Sequence, residues 1–352
     1  MQWDDNIEDL LKILNIFNNR LTELHWFYSP FHFMDSKVDF QKICKMRSDD
    51  RKPVFVLDRN IFSRLINVVS KGKTDEGSTK DIAILVAWSA LNNVNILPYY
   101  ALNEFAEGNN CEMAAQREYG VFKKIFTDIT LLEWLALALG LEEENKTLVN
   151  TDENIEQIET LFCNTSIDYL SNYAAMLHLS SVLLSEKEQI SKFKSFFEWF
   201  YSSLKVSRYT VVYVCRLLLG NIDYKEPKKI HGKNIDKAIK GCQNQARDLS
   251  YLTQLSIDRW PIEQYEPILI TDDQMLGDIF VNGCFNTQPI RQFERNIKTS
   301  SRKTTEWVDE LLENHKEIEV DDYEIYCRNV IEQELDMFRK IFISKNDYMD
   351  NK

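Results

Sequence analysis

Two short apolar runs, Val54-Phe55-Val56-Leu57 and Pro267-Ile268-Leu269-Ile270, constrain what this chain can fold into more than any other feature. Each runs directly into acid, Asp58 after the first and Thr271-Asp272-Asp273 after the second. Four apolar residues without polar alternation read as a strand buried on both faces, as in a parallel sheet covered by helices. The intervening pattern agrees. Residues 61–69 read as a helix, Ser78 or Thr79 caps another that runs to Leu91, Val94 to Leu97 forms a short strand closed by Pro98, and the next helix contains Glu104. Such alternation predicts an α/β fold, a parallel sheet flanked by helices, with ligands at the carboxyl ends of its strands.

The rest of the chain reads as helical. Only 10 Gly and 7 Pro occur in 352 residues, too few turn formers for a many-stranded sandwich or barrel. Residues 1–49 form a helical N-terminal arm that ends in an aromatic run, His25 to Phe33. Residues 50–108 hold the first part of the α/β core and 232–290 the second. Between them, 109–231 reads as a large all-helical insertion of six segments, including Glu153 to Phe162, and 291–352 as a C-terminal helical extension. No fixed repeat period marks a solenoid.

The longest apolar stretch, Leu131 to Leu141, is too short to cross a bilayer, which predicts no membrane association. Seven scattered cysteines without a C-x-x-C pair read as reduced core thiols of a cytoplasmic protein. The five histidines show no metal-binding spacing, and no phosphate-binding or dinucleotide-binding glycine motif is present. The aromatic stripe from Phe193 to Tyr201 reads as core. Against a net charge of -13, two basic segments stand out: 225–240, with Lys228, Lys229, Lys233 and Lys237 among six lysines, and 291–303, with Arg291 and Arg295. Either can hold a phosphate backbone; the plainer reading is a solvated face.

In a parallel sheet, Asp58 and the Asp272-Asp273 pair reach one edge although more than two hundred positions separate them. Glu104 and Asp248, each near the start of a helix in the alternating region, are natural additions, and Asn244 shares a helix face with Asp248. Each acid also has a purely structural reading: Asp58 as a turn or cap residue, Glu104 as a solvated helix position, Asp248 as an ion-pair partner of Arg247, and Asp272-Asp273 as a helix-capping pair. If the carboxylates converge, their mutual repulsion calls for a counter-charge. Oxygen ligands without Cys or His favour Mg2+ or Mn2+, and a pair of such ions suits hydrolysis of a phosphodiester.

The ordered set VFVLDRN, LPYYALNEF, ARDLSYL and ILITDDQML resembles the PIN-domain nucleases, a family that includes ribonuclease toxins. The resemblance covers roughly residues 50–107 and 235–290, and its specificity lies in the order of short motifs. It implies a PIN-like fold and a metal-dependent endonuclease acting on RNA or single-stranded nucleic acid, with Asp58, Glu104, Asp248 and Asp273 as catalytic metal ligands. Asp272 stands beside them at the variable position of the last motif, and Asn60 and Thr271 become supporting polar groups. By analogy, it also implies a toxin or antiviral defence setting, with a protein partner or inhibitor docking on the helical insertion. The chain departs from the family in that insertion, which places more than a hundred residues between the second and third acids. Two other functions fit the same motifs. One is a catalytically impaired PIN-like scaffold that binds RNA or a protein. The other is a haloacid-dehalogenase-like phosphatase, although Asn60 stands where that family carries a second Asp.

Overall fold

The computed structural model describes residues 2–29, 43, 52–74, 79–109, 111–158, 166–185, 187–219, 224–255, 265–284, 290–291, 302–316 and 318–350. The chain divides into two compact units, Met1–Phe162 with Trp260–Val281, and Cys163–Arg259 with Asn282–Lys352.

The first unit is built on a four-stranded sheet: β1 (Phe27–Tyr28), β2 (Lys52–Leu57), β3 (Asn95–Leu97) and β4 (Tyr265–Ile270), in the order β1-β4-β2-β3. Strands β4, β2 and β3 are parallel, as the two apolar runs predict, but β1 is antiparallel to β4, so the sheet is mixed. This fourth strand lies inside the aromatic run that the sequence assigns to a helical arm. Helix α1 (Gln2–Leu24) ends where His25 takes the left-handed conformation at φ 53°, and the aromatic residues beyond it pair along β4.

Five further helices cover the sheet: α2 (Arg59–Lys71), α3 (Thr79–Leu91), α4 (Tyr99–Asn109), α5 (Glu112–Lys124) and α6 (Leu131–Leu139). Helix α2 buries Ile61, Phe62, Leu65, Ile66, Val68 and Val69, each worth about 1.5–3 kcal/mol relative to exposure. Helix α3 is buried around its whole circumference from Asp81 to Ser89, which makes it the central helix of the unit. Its one acid is paired, since Arg20 of α1 donates to Asp81 through Nε at 2.7 Å and Nη2 at 2.8 Å. Helices α5 and α6, which the sequence places in the insertion, pack on α4 and α3 of this unit.

The expected helix over 153–162 is absent from its described part. Residues 154–158 are irregular, with Glu156 N donating to Gln116 O at 3.2 Å. At Gly120 of α5 the carbonyl of Asn154 comes so close that a Cβ would stand 2.0 Å from it. That close backbone approach takes the place of a helical turn.

The second unit is helical: α7 (Ile167–Leu184), α8 (Gln189–Ser203), α9 (Arg208–Leu219), α10 (Ile235–Gln254), α12 (Arg302–Glu313) and α13 (Tyr323–Asp350), with α11 (Gln274–Cys284) leading from the first unit into it. Helix α7 is buried along its length, and several of its polar groups meet partners on neighbouring helices, although His178 Nε2 has none. Asn172 donates to Ser250 Oγ at 3.0 Å and accepts from Thr210 Oγ1 at 2.6 Å, while His178 faces Glu334 at 3.0 Å and stacks on Trp199. Phe193, Phe196, Phe197 and Phe200 are fully buried, as the core reading of the aromatic stripe expects. Cys215, Cys242, Cys284 and Cys327 are buried free thiols, but Cys111 is exposed and departs from the core expectation; Cys44 and Cys163 lie outside the described residues. Among the described residues no helix is long and apolar enough to cross a membrane.

Candidate functional site

Leu57 of β2 stands opposite Ile270 of β4, so Asp58 and Thr271 leave the sheet side by side at its carboxyl edge. Asp58 N continues the ladder, donating to Ile270 O at 2.9 Å. The carboxylate of Asp58 then caps α2, its Oδ1 accepting from Arg59 N at 2.7 Å, while Oδ2 accepts from the Thr271 hydroxyl at 2.6 Å. The same hydroxyl accepts from Asn60 Nδ2 at 3.2 Å and from Asp273 N at 3.0 Å. One donor and two acceptor positions use the full capacity of a hydroxyl, and Thr271 is wholly buried. Asp273 turns its Oδ1 to the next helix and caps α11 through Met275 N at 3.0 Å and Leu276 N at 3.2 Å. The capping readings of Asp58 and Asp273 therefore describe real contacts, and these contacts hold the two acids at one edge.

Burial pushes the Asp58 carboxyl up to about 6, and the negative charges of Asp273 and Asp272 push the same way, against the hydrogen bonds from Thr271 and Arg59. Two arginines of α2 flank this edge. Arg64 pairs with Asp272. Arg59 pairs with Glu118 of α5, with Nη2 to Oε1 at 3.0 Å, and lies over the Phe105 ring at 3.8 Å from its centroid. Two buried polar atoms on α2, Asn60 Oδ1 and Arg64 Nε, have no hydrogen-bond partner. Tyr28 of β1 lies against Gly277 of α11. Burial raises its phenol to about 12, with the charges of Asp273, Asp278 and Asp272 adding to the shift.

The first unit thus brings together Asp58, Asn60, Thr271, Asp272 and Asp273. Glu104 is half-buried on α4, next to the Phe105 that receives Arg59. Asp248 and Asn244 belong to α10 of the second unit. There Asn244 Oδ1 accepts from Arg247 Nη1 at 3.1 Å, and the half-buried Asp248 helps hold the Tyr213 phenol well above its ordinary value, chiefly a burial effect. Lys228, Lys229, Lys233 and Lys237 are exposed, and Arg291 pairs with Asp309; Arg295 lies outside the described residues. An open cleft of about 510 Å³ in the second unit is walled by Tyr201, Trp307 and His315, and none of the expected site residues lines it.

Tyr28, Arg59, Arg64 and Glu118 escape the sequence reading. The i,i+4 spacing of Asn60 and Arg64 after a capping Asp is a usable signal for one helix face. The partners of the arginines come from distant segments and leave no local trace.

Among the described residues no three His, Cys, Asp or Glu side chains form a ready cage for a metal ion. The donors at the edge are all oxygen, namely Asp58, Asp272, Asp273 and the orphaned Asn60 Oδ1, a chemistry that fits a hard cation such as Mg2+ or Mn2+. No family model, curated protein or solved structure matches this chain.

Proposed function

We propose that this chain is a metal-dependent nuclease of PIN-like type that hydrolyses phosphodiester bonds in RNA or single-stranded nucleic acid. One observation carries the reading: the Thr271 hydroxyl ties Asp58 to the start of the Asp273 cap at the carboxyl edge of two parallel strands, beside the unpartnered Asn60 Oδ1. Burial and two further acids raise the Asp58 carboxyl, so a cation at this edge would favour its ionised form. Asp58, Asp273 and Asn60 would hold Mg2+ or Mn2+, with Asp272 and Glu104 as further oxygen donors from the same unit. When bound, such an ion supplies activation of water and compensation of charge on the phosphate oxygens. The protein's part is positioning. Thr271 fixes the Asp58 carboxylate, the α11 cap fixes Asp273, and the paired Arg59 anchors the start of α2 against α4 and α5. The exposed lysines of 225–240 offer phosphate contacts whose strength falls with salt.

A second reading, a PIN-like scaffold with impaired catalysis, is favoured by the lack of a ready three-residue cage among the described residues. Cleavage of labelled single-stranded RNA and DNA, with Mn2+, Mg2+ or chelator, separates the two. The nuclease reading expects metal-dependent cleavage that Asp58→Asn abolishes while leaving the fold intact. Cleavage retained by a folded Asp58→Asn chain would overturn the site. Absence of both cleavage and metal binding in the wild type would favour the scaffold.

A further inference from the structure

Helical spacing gives the second unit a cleft with both rings and acids in its walls. Glu198 and Tyr201 stand three residues apart on α8, Trp307 and Glu310 three apart on α12, and with His315, which follows α12, they line the open cleft of about 510 Å³. That is the size of a small-molecule site. Two hydrogen bonds fix its walls: Trp307 Nε1 donates to Glu198 Oε1 at 2.8 Å, and His315 Nδ1 donates to the Tyr201 carbonyl at 3.0 Å. The Tyr201 and His315 rings meet edge to face with centroids 5.0 Å apart.

The walls hold acceptors in excess of donors. Glu198 and Glu310 are exposed, and among the described residues neither forms an ion pair. A carbonyl can only accept, so His315 carries its proton on Nδ1, and in the neutral ring Nε2 is an acceptor with no partner among the described residues. Tyr201 is 7% exposed, and its hydroxyl likewise makes no hydrogen bond among the described residues. Against these groups stands one cation of the described lining, the exposed Lys316. The aromatic wall favours positive charge as well. Lys194, which does not line the cleft, already places its Nζ over the Trp307 ring at 5.1 Å from the centroid. An anion in this cleft would meet two carboxylates and the negative faces of the rings, whereas a cation finds all of them complementary.

We propose that the cleft is a binding site for a small organic cation, an amine or a guanidine, whose charged head is met by Glu198 and Glu310 and whose apolar part lies on the Trp307 and Tyr201 rings. The site belongs wholly to the second unit and does not rest on the nuclease reading. Binding is non-covalent, by charge, hydrogen bonds and ring contact.

The test uses the full chain with isotope-labelled tryptophan. Of its seven indole N–H resonances, the one lost in Trp307→Phe reports the cleft. Butylguanidinium or butylammonium at millimolar concentration should shift that resonance saturably, and butylurea, an uncharged analogue of the guanidine, should bind at least about tenfold more weakly. Glu310→Gln should weaken the cation about threefold, and Glu198→Gln combined with Glu310→Gln about tenfold. Equal binding of butylurea would reduce the cleft to apolar adsorption, and an affinity unchanged in the double variant would trace the cation to the net negative charge of the chain. Either result overturns the assignment, as does a Trp307 resonance that fails to move with either cation. Should the double variant not fold, Glu310→Gln, at an exposed position, decides by itself, and an unchanged affinity there would count against the site.

Discussion

The Thr271 hydroxyl donates to the Asp58 carboxylate across 2.6 Å, joining positions 213 residues apart. This contact exists because β2 and β4 are parallel neighbours in register, so the residue after each strand arrives at the same edge. Replacing Thr271 by Val keeps the volume and removes the hydroxyl, leaving Asp58 Oδ2, Asn60 Nδ2 and Asp273 N each short of a partner. We expect a loss of about 2–4 kcal/mol in chemical denaturation, whereas Thr271→Ser, which keeps the hydroxyl, should lose less than about 1.5 kcal/mol. A loss in Thr271→Val no larger than that in Thr271→Ser would show that the hydroxyl contributes no more than the methyl group.

Asp58 also sets a pH dependence in the metal-free chain. Its carboxyl rises from 3.8 to about 6 on folding, mainly through burial. Between those values the folded state binds more protons than the unfolded state, so this group's contribution to stability is full below about pH 4 and is lost as pH rises through about 6. The stability difference between wild type and Asp58→Asn should therefore move against the wild type over that window. A flat difference from pH 4 to 7 in paired denaturation curves would show that Asp58 titrates as an ordinary carboxyl.

Much of this edge is legible in the sequence, because an apolar run of four residues ending in Asp is a local signal and parallel pairing follows from alternation with helices. The elements that escape do so for physical reasons. Strand β1 has two residues, Phe27 and Tyr28, too few for any periodicity, and it exists only because β4 offers an edge. Residues 154–158 belong to a segment with helix-like spacing of Ile155 and Ile158, yet Gly120 admits their backbone so closely that an irregular path wins. The ion pairs of Arg59 and Arg64 depend on Glu118 and Asp272, partners that only the folded chain supplies.

The Arg59–Glu118 pair is mostly shielded, with side-chain exposures of 19% and 14%, so breaking it on one side strands a charge. Glu118→Ala should cost about 1–3 kcal/mol, between the values for surface and fully buried pairs. On the proposed nuclease reading, cleavage should fall as well, since Arg59 is the first residue of the helix that Asp58 caps. Denaturation midpoints across 0.05 to 1 M NaCl check the origin of the effect. A partly buried pair should lose little with salt, and a cost that vanishes at high salt would mark an exposed one.

Gly277 gives a prediction whose sign reverses. A Cβ at this position would meet the Tyr28 ring at 2.3 Å, so Gly277→Ala must displace the tyrosine from α11. Overpacking of this kind costs about 1–3 kcal/mol, against which alanine gains up to about 1 kcal/mol over glycine inside a helix. The single variant should therefore be destabilised. In a Tyr28→Ala background the ring is gone and only the helix term remains, so the same Gly277→Ala change should be neutral or stabilising by about 0.5–1 kcal/mol. A double-mutant cycle read by chemical denaturation measures that coupling. If Gly277→Ala costs the same in both backgrounds, Tyr28 does not rest on α11.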